Sequence, residues 1–310
     1  MVIDITKYCG VDVDSTRNEH LLALEIAQNQ NQDIVFDLFT ESFDPHVNGI
    51  YRIIESCFRE LDIKQPIRII RSKNQFTMWS FILDYEPMTP TRLNYGQFLG
   101  RPTNERCLMH AKHLTWQHKD RGIATYHCDI KNINSQQCVF SKFLFEYPLL
   151  WDKITQLGLP YSDIEQEQIP DDHTNEKLIF DPQSHKRLLD AYKNISIEVI
   201  AECNVTGTYN FISEKTLRPL YYGMIPLTVA KQGFEEYCAS LGFDMFDDII
   251  DKSYDNLEGF ERIESVYNTL EGILLNKDEL WLNNLQPRIK ANSQRVIEWF
   301  EKNSLWRKPQ

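Results

Sequence analysis

The chain has 310 residues, 42% of them hydrophobic, and 45 acidic against 33 basic side chains give a formal net charge of −12. That length accommodates two domains of ordinary size. The acidic balance argues against a nucleic-acid surface as the main business, because neutralising a phosphate backbone needs clustered Lys and Arg. A local basic pocket for a single diphosphate stays compatible with it.

In chain order, IVFDLF (Ile34 to Phe39) is a short β-branched run that suits a buried strand. Val47, Ile50, Tyr51, Ile54, Cys57, Phe58 and Leu61 then recur at helical spacing and predict one amphipathic helix. IRII (Ile67 to Ile70) and MWSFIL (Met78 to Leu83) predict two more strands, so the order strand–helix–strand argues for a parallel sheet. DYEPMTPT, with two prolines, reads as a linker.

A second α/β unit is expected from Tyr95. Phe98-Leu99-Gly100-Arg101-Pro102 ends a strand, and a helix over Asn104 to His118 presents Cys107, Ala111 and Leu114 on one face. Ile123 to His127 suits the next strand, and the polar stretch from Pro160 to Thr174 a long surface loop. A helix over Ser184 to Lys193 leads to a strand over Ile195 to Ile200. Helices are expected over Phe234 to Leu241 and over Glu258 to Leu275, the latter with Ile263, Val266, Tyr267, Leu270 and Leu274 in register. The last spans Pro287 to Lys302, with Ile289, Val296, Trp299 and Phe300 apolar.

Seven scattered cysteines without a C-x-x-C pair read as reduced, mostly buried thiols. No apolar run approaches the ~18 residues of a membrane span. The start, MVIDITKYCG, lacks a signal-peptide core. A cytoplasmic home is therefore expected. The two Asn-x-Ser/Thr sequences, at Asn194 and Asn204, fall where core and site are expected, which agrees with that home.

The segment IEVIAECNVTGTYNFISEKTLRPLYYGMIPLTV (Ile197 to Val229) concentrates the chemistry. A strand ends in polar residues, a loop with Gly207 follows, and Ser213-Glu214-Lys215-Thr216 opens a short helix closed near Gly223. A second apolar strand, Ile225 to Val229, comes directly after. Glu214, Lys215 and Arg218 thus gather where a strand's C-terminal end meets a helix start, the usual ligand edge of an open α/β sheet. A carboxylate there accepts hydrogen bonds from vicinal ribose hydroxyls, and Lys215 and Arg218 neutralise a diphosphate beside the helix N-terminus.

The pattern F-I-S-E-K-T-L-R-P-L-x-x-G-x-I-P resembles the donor-site signature of alpha-1,3-fucosyltransferases. Ala201-Glu202-Cys203-Asn204 takes the place of that family's Phe-Glu-Asn-Ser segment, with the aromatic missing and Cys203 interposed. LGFDMFDDIIDKSY (Leu241 to Tyr254) is similar to phage and marine-microbe sugar transferases with the same Glu-Lys core. The resemblance covers Ile195 to Arg262, with a weaker echo at Gly100 to Leu114. It implies an α/β protein of GT-B type, two Rossmann-like domains facing a cleft with the N-terminal one small. Residues 1–92 would be the acceptor-side domain and 93–285 the nucleotide-sugar domain, with a C-terminal helix in 286–310 packing back on the first.

By the resemblance, Glu214 would bind ribose and Lys215 the diphosphate; the alternative is a solvated helix start, where a first-turn Glu suits the macrodipole. Arg106 is the first choice for the arginine that reaches the donor phosphates and Arg101 the second, each with a surface arginine as its alternative. Glu202 and Asn204 would touch base or sugar, or merely cap a strand. Tyr209 and Phe211 would stack on the nucleobase or pack in the core. A base that takes the acceptor's proton is expected from the N-terminal domain. Asp44 and His46 are best placed and Glu41 and Glu86 are alternatives, although Asp44 also suits a helix N-cap.

No metal and no cofactor are expected beyond the co-substrate. Asp12-Val13-Asp14 lies before any convincing strand, Asp247, Asp248 and Asp251 fall where acidic caps are common, and His110 and His113 lack a third ligand. The expected function is transfer of a sugar from a nucleotide-diphosphate sugar to a glycan, lipid-linked saccharide or protein, with inversion. A silent nucleotide-sugar-binding module and a structural protein reusing the fold are the rivals.

Overall fold

A computed structural model of the chain describes residues 1–5, 8, 19–38, 50–71, 79–99, 104–126, 189–202, 210 and 212–304. Two compact units emerge, one of residues 1–81, 207–211 and 297–310, the other of residues 82–206 and 212–296. No helix among the described residues is long and apolar enough to cross a membrane.

The first unit is a three-stranded parallel sheet in the order β1 (Val2–Asp4), β2 (Val35–Leu38), β3 (Ile69–Arg71), linked through α1 (Glu19–Gln28) and α2 (Ile50–Glu60). The spacing of Ile50, Ile54 and Phe58 puts all three on the buried stripe of α2. They pack with Leu22 and Ile26 of α1 and with Ile3, Ile34 and Phe36.

The second unit carries a four-stranded parallel sheet in the order β5 (Gly122–Tyr126), β4 (Tyr95–Leu99), β6 (Ile197–Ala201), β7 (Ile225–Val229). Helices α3 (Asn104–Thr115), α4 (Glu214–Tyr222), α5 (Phe234–Ser240), α6 (Gly259–Asn276) and α7 (Glu279–Asn303) are the further described α-helices. Register places Tyr95, Ile197 and Ile225 side by side, and with them Leu99, Val199, Ala201, Leu227 and Val229 face one core. Leu108 and Met109 of α3 and the buried stripe Ile263, Val266, Tyr267, Leu270 and Leu274 of α6 fill that side. Trp116 stands edge-on to both Tyr95 and Tyr267, with ring centroids 5.3 and 5.2 Å apart. The parallel α/β class expected from the sequence is what the chain adopts.

Four expectations need correction. MWSFIL is no strand: Trp79–Asp84 is a 3-10 helix, in which residues three apart eclipse, so Trp79 and Ile82 are both buried where a strand would bury alternate residues. Helix α3 ends at Thr115, short of the expected His118, and contributes Leu108 and Met109 to the core, while the side chains of Cys107, Ala111 and Leu114 lie outside those the structure describes. Helix α7 begins at Glu279, with Pro287 inside it rather than at its start. Strand β1 and helix α1 were not anticipated at all. The acidic loop expected over Pro160 to Thr174 lies outside the described residues.

Candidate functional site

The strand order sets where a ligand would go. The chain leaves central β4 toward β5 through α3, then returns to the opposite side of β4 for β6 and continues to β7 through α4. Right-handed crossovers in opposite directions put α3 and α4 on opposite faces. The boundary between β4 and β6 is therefore a topological switch point, and open α/β sheets bind ligands outside the strand ends at such a point. Strands β4 and β5, and β6 and β7, pair over five residues each, but β4 and β6 pair only at Tyr95–Ile197 and Gly96–Glu198. A Cβ on Gly96 would lie 2.8 Å from the Phe98 ring and closer still to Ile195, so glycine lets these side chains cover the seam.

At the α4 side, Ser213 adopts extended backbone and caps the helix, its Oγ accepting from the Lys215 N–H at 3.2 Å. Glu202, at the end of β6 and 1% exposed, completes the cap. Its carboxylate accepts from Ser213 N–H at 3.1 Å, Ser213 Oγ at 2.6 Å and Thr216 Oγ1 at 2.6 Å. A helix N-terminus favours an anion, and this one holds an anion of the chain's own. The place found for Glu202 is thus the cap of α4. Glu214 and Lys215 form an ion pair at 2.5 Å, with the glutamate side chain 5% and the lysine side chain 13% exposed.

Arg218, one turn further on, is buried, and its Nε donates to the Tyr192 hydroxyl at 3.0 Å. Tyr192 in turn donates to Glu198 Oε2 at 2.6 Å. Glu198 sits in mid-strand, flanked in register by Gly96 and Pro226, which offer no polar side chain, so its carboxyl turns to the helix layer. Burial pushes this carboxyl up to about 7, against the opposing pull of Arg218 and of the Tyr192 hydrogen bond. Sequence reasoning missed Glu198. The signal was a glutamate inside the apolar run IEVIA, because a strand covered on both faces has to supply any such carboxyl with a partner.

A second buried polar cluster closes the end of β7. Arg262, without exposed surface, donates to the Asp255 carboxylate at 2.7 Å and to the Thr228 carbonyl at 3.0 Å. Asp255 accepts from the Glu235 and Glu236 N–H groups. Glu235 pairs with Lys252 at 2.8 Å and accepts from Tyr254 at 2.5 Å. Each charge in this cluster has a partner of opposite sign, which is the arrangement of a scaffold.

Arg106 lies buried in the first turn of α3, directly after β4. Glu86 is exposed. Arg101, Asn204, Tyr209, Phe211, Asp44, His46, Glu41, Asp12 and Asp14 lie outside the described residues. His113 contacts the Tyr95 hydroxyl through Nδ1 at 2.5 Å, and burial drives its imidazole down to about 4, the neutral form. Asp248 bonds Arg288 at 2.7 Å beside Asp244. Among the described residues no three His, Cys, Asp or Glu side chains gather as a metal site.

Protein-family models, curated proteins and solved structures give no match to this chain.

Proposed function

We propose that the second unit binds a nucleotide-diphosphate sugar at the seam between β4 and β6 and that the protein is a glycosyltransferase. One observation supports this above others. Arg106 is far in sequence from Glu202, Glu214 and Lys215, yet all four stand on the segments that leave the C-terminal ends of β4 and β6. On this reading Glu214 holds the ribose hydroxyls, while Lys215 and Arg106 meet the charge that develops on the departing diphosphate. Lys215 exchanges its contact with Glu214 for the phosphates as the sugar nucleotide enters. Because Glu202 already occupies the α4 N-terminus, the phosphates are held by side-chain cations more than by backbone N–H groups. Arg218 supports the site from within through Tyr192 and Glu198.

The two α/β units would be the two domains of a GT-B enzyme. The acceptor's proton would go to Asp44 or His46, and the sugar would invert as the acceptor hydroxyl attacks from the face opposite the diphosphate.

Calorimetry with UDP-, GDP-, dTDP- and CMP-linked sugars tests the reading. One of them is expected to bind, and Lys215→Ala and Glu214→Ala are each expected to weaken it by about 10- to 100-fold, the effect of losing a charge-assisted hydrogen bond. Slow donor hydrolysis without acceptor would accompany an enzyme; binding without hydrolysis would favour a silent binding module. If none of the four binds, or both substitutions leave affinity unchanged, the site is misplaced.

A further inference from the structure

The Glu198–Tyr192–Arg218 relay lies under the proposed site and has a chemistry of its own. Glu198 is 2% exposed, and the polar groups acting on it are the Tyr192 hydroxyl and the Arg218 guanidinium. Its strand neighbours Gly96 and Pro226 carry no charge. Tyr222, a further titratable group of α4 near Arg218, donates its hydroxyl to the Ile82 carbonyl at 2.6 Å, and Tyr221, Asp84 and Tyr85 act on it in turn. The hydrogen bonds run in one direction, Arg218 Nε–H to Tyr192 oxygen and Tyr192 O–H to Glu198. Arg218 is three residues beyond Lys215 and four beyond Glu214 on α4, one helical turn away.

We propose that binding of a phosphate-bearing ligand at this end of α4 is linked to proton uptake by Glu198, a residue that never touches the ligand. The inference rests on the functional reading above. Ionised Glu198 offsets part of the field of Arg218; protonation removes one negative charge and makes the potential at an anion one turn away more positive, whatever else Arg218 contacts. The relation is reciprocal, so an arriving diphosphate makes Glu198 harder to ionise. The carboxyl is already poised near neutrality by burial, so the exchange falls within the working pH range. Unmasking one charge some 10 Å from an anion, at an effective dielectric near 20, corresponds to about tenfold in affinity. Glu198 is a positioning residue for charge.

Nucleotide-sugars suit the test, because both phosphates of the diphosphate diester keep one negative charge each across neutral pH. Affinities of UDP-glucose and GDP-mannose are measured by calorimetry from about pH 6 to about pH 8, in two buffers of different ionisation heat. Wild-type affinity for whichever binds is expected to fall about tenfold over that range, with proton uptake visible as a buffer-dependent heat. Glu198→Gln, a permanent mimic of the neutral acid, is expected to keep the tighter affinity throughout and to lose that uptake. Tyr192→Phe removes a hydrogen bond that favours ionised Glu198, so the midpoint is expected to move to higher pH. A merely structural role would lower affinity at every pH and leave the midpoint in place. Binding with a flat wild-type profile, or a Glu198→Gln profile that copies wild type, would overturn the linkage and leave the site reading standing. Should Glu198→Gln fail to fold, an unmoved midpoint in Tyr192→Phe overturns the linkage. If neither nucleotide-sugar binds while another from the wider panel does, the same profiles are read with that one. No binding across the panel removes both readings.

Discussion

At the residue scale, Glu202 illustrates how one carboxylate settles the start of a helix. It is the shared acceptor of Ser213 N–H, Ser213 Oγ and Thr216 Oγ1. Glu202→Ala leaves these buried donors unmet and is expected to destabilise the protein by about 2–4 kcal/mol, read as a lower urea midpoint at unchanged slope. Glu202→Gln keeps an oxygen acceptor and is expected to lose less. Arg262→Ala is expected to cost about 3–5 kcal/mol in the same experiment, because Asp255 would remain buried without its cation. Neither role was legible in the sequence. Glu202 was read as a base or sugar contact or a strand cap, since a linear pattern shows that a polar residue ends a strand but not which helix start it will face. Glu198 left a clearer trace, a carboxyl within IEVIA.

Among the elements, α4 was the most legible. Its cap Ser213, its acidic first turn and its closing glycine are all local signals, and each works as local chemistry demands. Gly223 adopts φ of 86° and donates its N–H to the Pro219 carbonyl, and an added Cβ would lie 2.7 Å from the Met88 carbonyl oxygen. Gly223→Ala is therefore expected to destabilise by about 1–3 kcal/mol, detectable as a lower thermal midpoint. MWSFIL was misread because apolar runs of six residues fit a buried strand and a buried 3-10 turn equally, and burial of Trp79 with Ile82 decides only in three dimensions. Helix α1 was missed for a different reason. Leu21 and Leu24 are exposed while Leu22 and Ile26 are buried, so apolar residues surround the helix and blur its stripe. Strand β1 is three residues long, too short to show alternation.

For the whole molecule, two carboxylate environments bound the pH range of greatest stability. The neutral form of Glu198 is favoured on folding, so its contribution is complete below the ordinary 4.5 and is lost as pH rises through about 7. Asp244 and Asp248 behave oppositely. Burial pushes Asp244 up, but bonding to Arg288 and to the Phe246 N–H outweighs it, and Arg288 likewise holds Asp248 low. Their contribution is present above the ordinary 3.8 and disappears as pH falls further. His113, held neutral by burial, adds stability as pH rises from about 4 to the ordinary 6.5 and offsets much of this loss, so it is relative to Glu198→Gln that the wild-type thermal midpoint is expected to show a decline between about pH 5 and about pH 8. A variant profile parallel to wild type would assign the pH dependence to other groups.

The two-rung join between β4 and β6 has a mechanical consequence. A sheet tied by five rungs on either flank and by two in the middle is weakest along that line, and local opening follows the weakest line. Deuterium should enter the Phe98 and Ile200 region sooner than the Leu227 region, where β6 and β7 pair throughout. Anything wedged between the strand tips would slow the former selectively, which gives a way to watch occupancy that needs no turnover.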